Sequence, residues 1–560
     1  MASTTLTIFP PMNGVDRRMS PSGGRMPGSC YYCLNVMPRQ HITTLAGDNN
    51  AYGFGKPVNA LGLRVRPPIN TYASGAVVTT TTHKFFHIGN YVTGGNPATK
   101  LIYVGGGIID LDNVAVPTGG GQVTTMAAAT IGGTTYFPML TGSTLGTGTG
   151  VAQWPLVSGA GTVAQMVATA GTVPTNCQCA VDYFGRLVLS GDTSNLGNIY
   201  LARANTPTDW DYSRRDAIAA VALNTSQAIG GVLDRIKALI QTKIDGLLVG
   251  GYRSMHFLRG NPADGGRLYV VTRDAGVLGQ YTHCMDRRGY IYFVSSGFRL
   301  CRFNPGDMSV EDVSQGYVGA LGRAISLVYD EVNDGVWIFG KRIDDSGLSP
   351  LAITEMEGDS SFSETATHCF YKINSGDGVQ GFFPMEGPTS LANGYGDGAA
   401  MAKDQSIYIS TTGITGVGFA TIDFTHGYAG DLADTVAIKH GWHSWPVNPF
   451  QGGNSTLART DLSLQGIQRT TAKNQASLKA FADAGETDVV LTSRHQQMLY
   501  ASAAGGYTPG RQVPITKRVR GTSFSFRMSN VNAAGTAVLG AFELEKIEAT
   551  FEPAGQSRRR

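Results

Sequence analysis

Short runs of apolar and aromatic residues, each bounded by glycine or a polar turn, recur along this chain and constrain its fold more than any other feature. They stand at Thr99–Gly105, Gly185–Gly191, Gly246–Tyr252, Gly289–Gly297, Gly335–Arg342 and Ser406–Gly413. From residue 185 onward their starts lie 61, 43, 46 and 71 residues apart. A four-stranded propeller blade takes about 40–50 residues. The two shorter intervals therefore match bare blades, and the longer ones match blades with insertions.

Because a single blade cannot bury both of its faces, blades stack around an axis. We therefore predict an all-β fold: a β-propeller of five to seven blades with an inserted Gly/Thr-rich β-subdomain, a C-terminal antiparallel β-module and few helices. A set of β-sandwiches is the alternative. Composition agrees, since glycine supplies 74 of 560 residues and charged residues only 15%. These values exclude a coiled coil and a helical bundle, and they argue against a disordered chain.

One long segment carries no charge at all. The 69 residues between Asp112 and Asp182 contain no Asp, Glu, Lys or Arg. The segment is rich in Gly, Thr, Ala and Val, and Tyr136, Phe137 and Trp154 give it material for a small core. A flexible low-complexity loop would have a similar composition. We favour an inserted β-subdomain with a neutral surface at a subunit contact or a channel, and we name Thr147 and Thr149 as its exposed candidate positions.

Two segments have helical periodicity. Residues 226–244 place Ile229, Leu233, Ile236 and Ile240 on one stripe, with Ser226 as a candidate N-cap, which predicts an amphipathic helix covering a blade edge. A second helix is predicted at about residues 471–483. Beyond Asp488 the pattern changes to strands, and apolar and acidic residues alternate over 541–553 on either side of a bulge predicted near Lys546.

These observations divide the chain into six predicted parts. They are an N-terminal arm and entry to the propeller (1–66), first propeller strands (67–112), the uncharged subdomain (113–181), the main propeller (182–450), a connecting helix region (451–487) and a C-terminal β-module with a basic tail (488–560).

Positive charge is concentrated at the two ends. Residues 1–66 and 511–560 each carry a net charge of +5, whereas the whole chain carries only +3, so the body between them is acidic at −7. Basic arms on a mildly acidic body suit docking in an assembly and also suit contact with nucleic acid, although solvated termini would look the same. The candidate assembly residues are Arg17, Arg18, Arg25, Arg558, Arg559 and Arg560.

Motifs for catalysis or cofactor binding are missing from the sequence. It contains no phosphate-binding loop, no H-E-x-x-H zinc motif and no G-x-S-x-G elbow. The Cys30/Cys33 pair lies outside any βαβ pattern, so the seven cysteines are interpreted as reduced, mostly buried thiols. The run His440–Trp445 is interpreted as a plug at a strand end. We predict no enzyme activity, no cofactor and no metal, with paired carboxylates of a glycosidase propeller as the alternative.

Neither a secretory signal nor an apolar run long enough for a transmembrane helix is visible, so membrane insertion is not expected.

Three stretches resemble the nozzle, or tail tubular protein B, class of short-tailed bacteriophages. They are NGVDRRMSPSGGRMPGSCYYCLNVMPR at 13–39, the blade-like stretch 247–300 that begins LLVGGYRSMHF and ends VSSGFRL, and KRVRGTSFSFRMSNVNAAGTAVLGAFELEKIEATFEP at 517–553. Together they cover roughly a quarter of the chain, and their motifs are diffuse.

The resemblance implies a structural virion protein of the phage tail, synthesised in the host cytoplasm. It implies a homohexameric ring that lies below an adaptor ring under the portal and has tail fibres as further partners. Double-stranded DNA is ejected through this ring without specific binding. The uncharged segment and the acidic body suit such a conduit, since each Lys or Arg contact with a phosphate adds affinity. The alternatives are another head–tail connector component and a carbohydrate-binding or glycan-hydrolysing propeller.

Overall fold

The structure of the protein is a computed structural model that describes a large part of the chain. The secondary-structure elements in that part are nearly all β-strands. The described residues are 3–8, 13, 29–30, 32–38, 63–65, 69–72, 85–93, 96–104, 107–110, 129–131, 134–138, 151–155, 164–244, 246–314, 321, 324–331, 333–340, 368–374, 380–385, 395–401, 407–411, 419–422, 438, 441–450, 454–467, 477–482, 490–492, 508–515, 519–529 and 541–554.

Within these residues seven antiparallel sheets follow one another along the chain, and we number them blades 1 to 7. In blades 1 to 6 the strands pair in chain order as an up-and-down meander, and blade 7 differs only in its last strand, which comes from the N-terminal part of the chain. Blade 1 comprises Phe85–Thr93, Asn96–Val104 and Gly107–Asp110; blade 2 comprises Ala129–Ile131, Thr134–Pro138, Val151–Pro155 and Ala164–Gln165; blade 3 comprises Cys179–Tyr183, Arg186–Ser190, Asn198–Leu201 and Val221–Asn224.

The remaining blades follow the same plan. Blade 4 comprises Ile236–Gln241, Gly246–Gly251, Met255–Arg259 and Arg267–Thr272; blade 5 comprises His283–Met285, Ile291–Val294, Leu300–Asn304 and Ser309–Asp312; blade 6 comprises Ala324–Asp330, Gly335–Gly340, His368–Lys372 and Gly381–Met385; blade 7 comprises Tyr395–Met401, Ile407–Thr411, Phe419–Ile422 and the N-terminal strand Ile69–Tyr72. The predicted propeller is confirmed: five of the six runs identified in the sequence contain the second strand of a blade, and the run Thr99–Gly105 overlaps the second strand of blade 1.

The ring closes through its two ends. Ile69–Tyr72 pairs with Phe419–Ile422, so a strand from the N-terminal part completes the last blade. The first strand of blade 7 also lies beside the first strand of blade 1. Closure by hydrogen bonds between distant parts of the chain ties the first and last blades together.

Apolar side chains fill the spaces between neighbouring blades. In blade 4, Leu247 and Val249 pack toward blade 3, whereas Leu248, on the opposite face of the same strand, packs toward blade 5. This two-sided burial follows from the period of two in a strand whose residues are all apolar or glycine. Tyr136 of the uncharged segment joins Leu187 and Leu189 of blade 3 in one cluster, so that segment contains strands and a buried aromatic residue, as predicted. Four of its strands form blade 2, so this part of the segment belongs to the ring itself and is not an insertion between blades. The side chains of Phe137 and Trp154 lie outside the described residues.

The C-terminal module consists of two sheets that contain strands from both ends of the chain. Phe524 of one sheet packs on Phe551 of the other, with ring centroids 4.8 Å apart. The first sheet contains Thr4–Ile8, Val36–Pro38, Leu63–Val65, Ser455–Ile467, Thr508–Ile515, Val519–Gly521 and Ala541–Pro553; the second contains Tyr32–Leu34, Gly441–His443, Ser477–Ala482, Val490–Thr492 and Phe524–Ser529. The bulge predicted near Lys546 is confirmed, since Ser463 pairs with Lys546 and Leu464 with Leu544.

Both predicted helices are wrong. Residues 226–244 contain a 3₁₀ turn at Thr225–Gln227, capped by Asn224 and not by Ser226, followed by an irregular segment and the strand Ile236–Gln241. Gly230 has a φ of +72°, which ends any helix there. In the connecting region predicted at 451–487, Ser477–Ala482 is a strand paired on both sides, because pairing with Phe524–Ser529 and Val490–Thr492 overrides local propensity.

Candidate interaction surface

At one axial end of blades 3 to 5 lie two kinds of segment: the turns that join the second and third strands of each blade, and the segments that lead from one blade to the next. We call this end the crossing face and define it as residues 191–197, 225–235, 251–254, 273–282 and 295–299. Hydrogen bonds join these segments: Tyr252 N donates to Arg235 O at 2.9 Å, and Ser296 N donates to Gly276 O at 3.1 Å. The crossing face is therefore one continuous surface.

Asp234 fixes the shape of this surface at blade 4. Its Oδ2 accepts hydrogen bonds from Arg253 N at 2.6 Å, from Ser254 N at 2.9 Å and from Ser254 Oγ at 3.0 Å. Its Oδ1 accepts from Arg235 N at 2.8 Å. With both oxygens occupied, this carboxylate serves to order the 251–254 turn.

Large apolar side chains stand exposed on the crossing face. Ile229 is fully exposed, and Leu233, Phe298 and Tyr252 are 57%, 53% and 47% exposed. Leu196 lies next to Gly197, where an added Cβ would approach Leu233 Cδ1 to 3.1 Å, so these two leucines belong to one patch. Several large exposed apolar side chains on one end of the propeller are a feature of contact sites when they form a patch.

A short motif recurs on this face in successive blades. Gly251-Tyr252-Arg253 in blade 4 and Gly297-Phe298-Arg299 in blade 5 each place an exposed aromatic ring beside an arginine at the turn between the second and third strands. Aromatic residues and arginine are the types most enriched in the energetic centres of protein interfaces. The repeat therefore indicates a surface for binding rather than a set of unrelated loops.

The cations of this region are mostly unpaired. Arg299 forms an ion pair with Asp312 at 2.8 Å. Arg253 and Arg273 in the face, with Lys237 just beyond it, have no ion pair in the part of the chain that the structure describes. The surface therefore presents apolar groups together with free positive charge, which suits a protein surface with acidic groups at its edge or a phosphate-bearing ligand.

The residues that the sequence predicted for assembly and channel contacts all lie outside the described residues. This applies to Arg17, Arg18, Arg25, Thr147, Thr149 and Arg558–Arg560, whose roles stay predictions. In the run at 440–445, Gly441–His443 is itself a strand and Trp442 and Trp445 are both buried, so the two tryptophans belong to the core of the C-terminal module. All seven cysteines are free thiols, and six of them are buried, as predicted.

Within the described residues no group of three or more His, Cys, Asp or Glu side chains is arranged to hold a metal ion. The same residues contain no helix with the length and hydropathy that a bilayer span requires.

Comparison with known proteins gives structural neighbours only, since no family model and no curated protein matches the chain. The extracellular domain of BT4673, a candidate one component system of B. thetaiotaomicron, is 11% identical with a TM-score of 0.40 over 78% of this chain, which spans about half (48%) of that domain's length. Virginiamycin B lyase from Staphylococcus aureus is 8% identical with a TM-score of 0.38, covering 63% of this chain and 98% of the lyase. The WD40 β-propeller domain of Doa1 is 9% identical with a TM-score of 0.34, covering 63% and 96%.

Proposed function

We propose that this chain is a non-enzymatic structural subunit of a phage tail, which assembles into a homohexameric ring that serves as the nozzle for double-stranded DNA. The observation that carries the proposal is the crossing face, on which exposed Ile229, Leu233 and Tyr252 stand beside unpaired Arg253. An assembly subunit needs such a surface for its neighbours. The resemblance of three sequence stretches to tail nozzle proteins supplies the kind of assembly.

In this proposal the crossing face binds a neighbouring subunit. The basic arms dock the ring on the adaptor below the portal, and tail fibres attach to the outside. The uncharged segment and the acidic body provide a wall past which DNA moves without specific binding, because few cations hold its phosphates.

The test is the oligomeric state of the purified chain and of two variants. Wild type should form six-fold rings in negative-stain images, with a solution mass of six chains. Ile229→Asp with Leu233→Asp should give monomers, because it places twelve carboxylates in the contacts of one ring. Tyr269→Asp, at a half-exposed side chain on the outer strand of blade 4, is the control and should still form rings.

A wild-type chain that stays monomeric at all concentrations would contradict the nozzle proposal, and rings formed equally well by the double variant would contradict the use of the crossing face. The exposed rings of Tyr252 and Phe298 also match what stacks on sugars, which favours a carbohydrate-binding propeller as the second candidate. Binding or turnover of glycans by a monomer, lost in Tyr252→Ala with Phe298→Ala, would establish that candidate instead.

A further inference from the structure

The first strand of blade 4 begins with a β-bulge. Ile236 pairs with Gly251 and Ala238 pairs with Gly250, so Lys237 is the extra residue between them. A bulge leaves its extra residue out of the ladder and redirects its side chain. This strand lies beside the first strand of blade 3, Cys179–Tyr183, and the bulge therefore places an amine at the junction of the two blades.

A second cation and an amide group lie at the same junction. Arg235 Nη2 donates to Gln178 Oε1 at 3.2 Å, and Gln178 immediately precedes Cys179. Both Arg235 and Lys237 lie near enough to the Cys179 thiol to act on it electrostatically. Burial nevertheless raises the pKa of Cys179 to about 12, so this thiol stays neutral and does not balance their charge.

The two cations are half-buried and lack an ion-pair partner in the described residues. Asp234 is the adjacent carboxylate and its charge acts on Lys237, but one negative charge does not balance two cations, and its oxygens already accept the hydrogen bonds that order the 251–254 turn. Burial, and then the positive charge of Arg235, lower the pKa of Lys237. Two like charges brought together out of water are unfavourable unless an anion joins them.

The donors at this junction match one kind of anion. Arginine offers a planar fork that binds two oxygens, lysine adds a mobile point charge, and the Gln178 amide adds a neutral donor, since Nε2 of Gln178 has no hydrogen bond in the described residues. We propose that the junction of blades 3 and 4, formed by Gln178, Arg235 and Lys237, is a binding site for a phosphate group. This site goes beyond the proposed nozzle function, which requires no phosphate site on the propeller.

The experiment compares two double variants that each remove two positive charges from blade 4. Arg235→Gln with Lys237→Gln changes the proposed site. Arg259→Gln with Arg267→Gln changes an exposed pair at the opposite end of the blade, where the two residues face each other across neighbouring strands. Titration calorimetry with inorganic phosphate and pyrophosphate tests free phosphates, and fluorescence anisotropy with a labelled DNA duplex tests phosphodiesters.

Wild type and the Arg259/Arg267 variant should bind at least one of these probes, and the Arg235/Lys237 variant should lose tenfold or more in affinity for it. If the duplex is the ligand, the slope of log K against log salt should become about 1.8 less steep, since each lost phosphate contact contributes about 0.9. Binding of phosphate or pyrophosphate without the duplex identifies a small phosphate ligand. No binding of any probe by wild type, or equal binding by both variants, overturns the proposal.

A measurement on the unmodified protein covers the case in which the variant fails to fold. The lowered pKa of Lys237 leaves more of its amine unprotonated, so it should react faster with an acylating reagent than exposed lysines do. The bound probe should slow acylation of Lys237 at least fivefold without slowing that of Lys243, whose amine donates to the Asp286 and Arg287 carbonyls. Equal rates with and without the probe, both in wild type and in the monomeric Ile229→Asp/Leu233→Asp variant whose crossing face is uncovered, would overturn the site independently of any ring assembly.

Discussion

Arg186 holds together the part of blade 3 that leads to the crossing face, and its replacement gives a quantitative test of the structure. The side chain is completely buried in the second strand of the blade. Its Nη1 donates to Ala202 O at 3.0 Å and to Ile218 O at 3.1 Å, and also to Ala219 O. Its Nη2 donates to Ala217 O at 3.0 Å and to Asn261 Oδ1 of blade 4 at 3.2 Å.

These bonds fix the excursion of the chain at 202–220, between the third and fourth strands of blade 3. Arg186→Met keeps most of the volume but leaves four buried or half-buried carbonyls without this donor. Leaving a buried acceptor unpaired costs about 1–3 kcal/mol. Part of that cost is offset because burial disfavours the cation, as the lowered pKa of Arg186 indicates. We expect a net loss of about 4 kcal/mol, a factor of about a thousand in the local opening equilibrium.

Hydrogen exchange followed by mass spectrometry measures this loss directly. Amides of 202–220 should exchange about a thousandfold faster in Arg186→Met, whereas blade 6 should not change. Arg215→Met in the same excursion is the control, because Arg215 is exposed and forms no ion pair with the described residues, so its replacement should cost less than about 1 kcal/mol. Exchange in Arg186→Met within threefold of wild type would refute the assignment of Arg186 as the anchor of this excursion.

Three further predictions concern pH, the N-terminal arm and the uncharged segment. Burial lowers the pKa of His283 to about 4, so between about pH 6.5 and pH 4 the unfolded chain binds a proton that the folded chain does not. The free energy of unfolding should therefore decrease by at most about 3 kcal/mol as the pH is lowered through this window. His283→Gln should flatten this dependence when the free energy of unfolding in urea is measured at several pH values. Deleting residues 1–30 removes the Thr4–Ile8 strand and should weaken ring formation or docking while circular dichroism shows an intact propeller; unchanged assembly into tails would contradict this. Thr147→Lys with Thr149→Lys should slow DNA ejection most at low salt if these positions face the lumen, or reduce ring yield if they lie at a subunit contact, and no change in either quantity would show that the segment has neither role.

The propeller was predictable because several second strands are continuously buried, and those of blades 4 and 6 also begin at a glycine that has a packing role. A Cβ at Gly246 would collide with the Phe257 ring, and one at Gly335 with the Phe370 ring. Continuous apolar runs with a glycine at the entry follow directly from such packing. The bulge near Lys546 was predictable for a related reason, since Ile547, Ala549 and Phe551 are all buried and the alternation must shift where an extra residue enters.

Strand pairings between distant parts of the chain do not produce a pattern in the local sequence. Ile69 pairs with Ile422, and Thr4 pairs with Phe551, so strands from the N-terminal part complete both blade 7 and the C-terminal module. Periodicity reports which face of a strand is buried, but it does not report which strand lies beside it. The sequence therefore indicated a basic arm at the N-terminus without indicating that parts of it belong to two different sheets.

The crossing face was missed for a physical reason that also identifies the signal it left. The helical periodicity predicts that Ile229 and Leu233 lie on the buried stripe of a helix. Both are exposed, because the chain turns at Gly230 and Gly231 and forms no helix before the strand at Ile236 begins. Two adjacent glycines within a helical stripe are a reason to doubt the helix, since each costs about 1 kcal/mol there. Without a helix, the apolar residues that lie between the two glycines and the strand have no neighbouring surface to pack against. A second signal is the Gly-aromatic-Arg triplet, which occurs at Gly251 and at Gly297, at the same point of successive blades. Side chains that repeat with the blade but contribute nothing to the ladder or to the spaces between blades are available for contacts outside the chain, and this is the role that we propose for the crossing face in the ring.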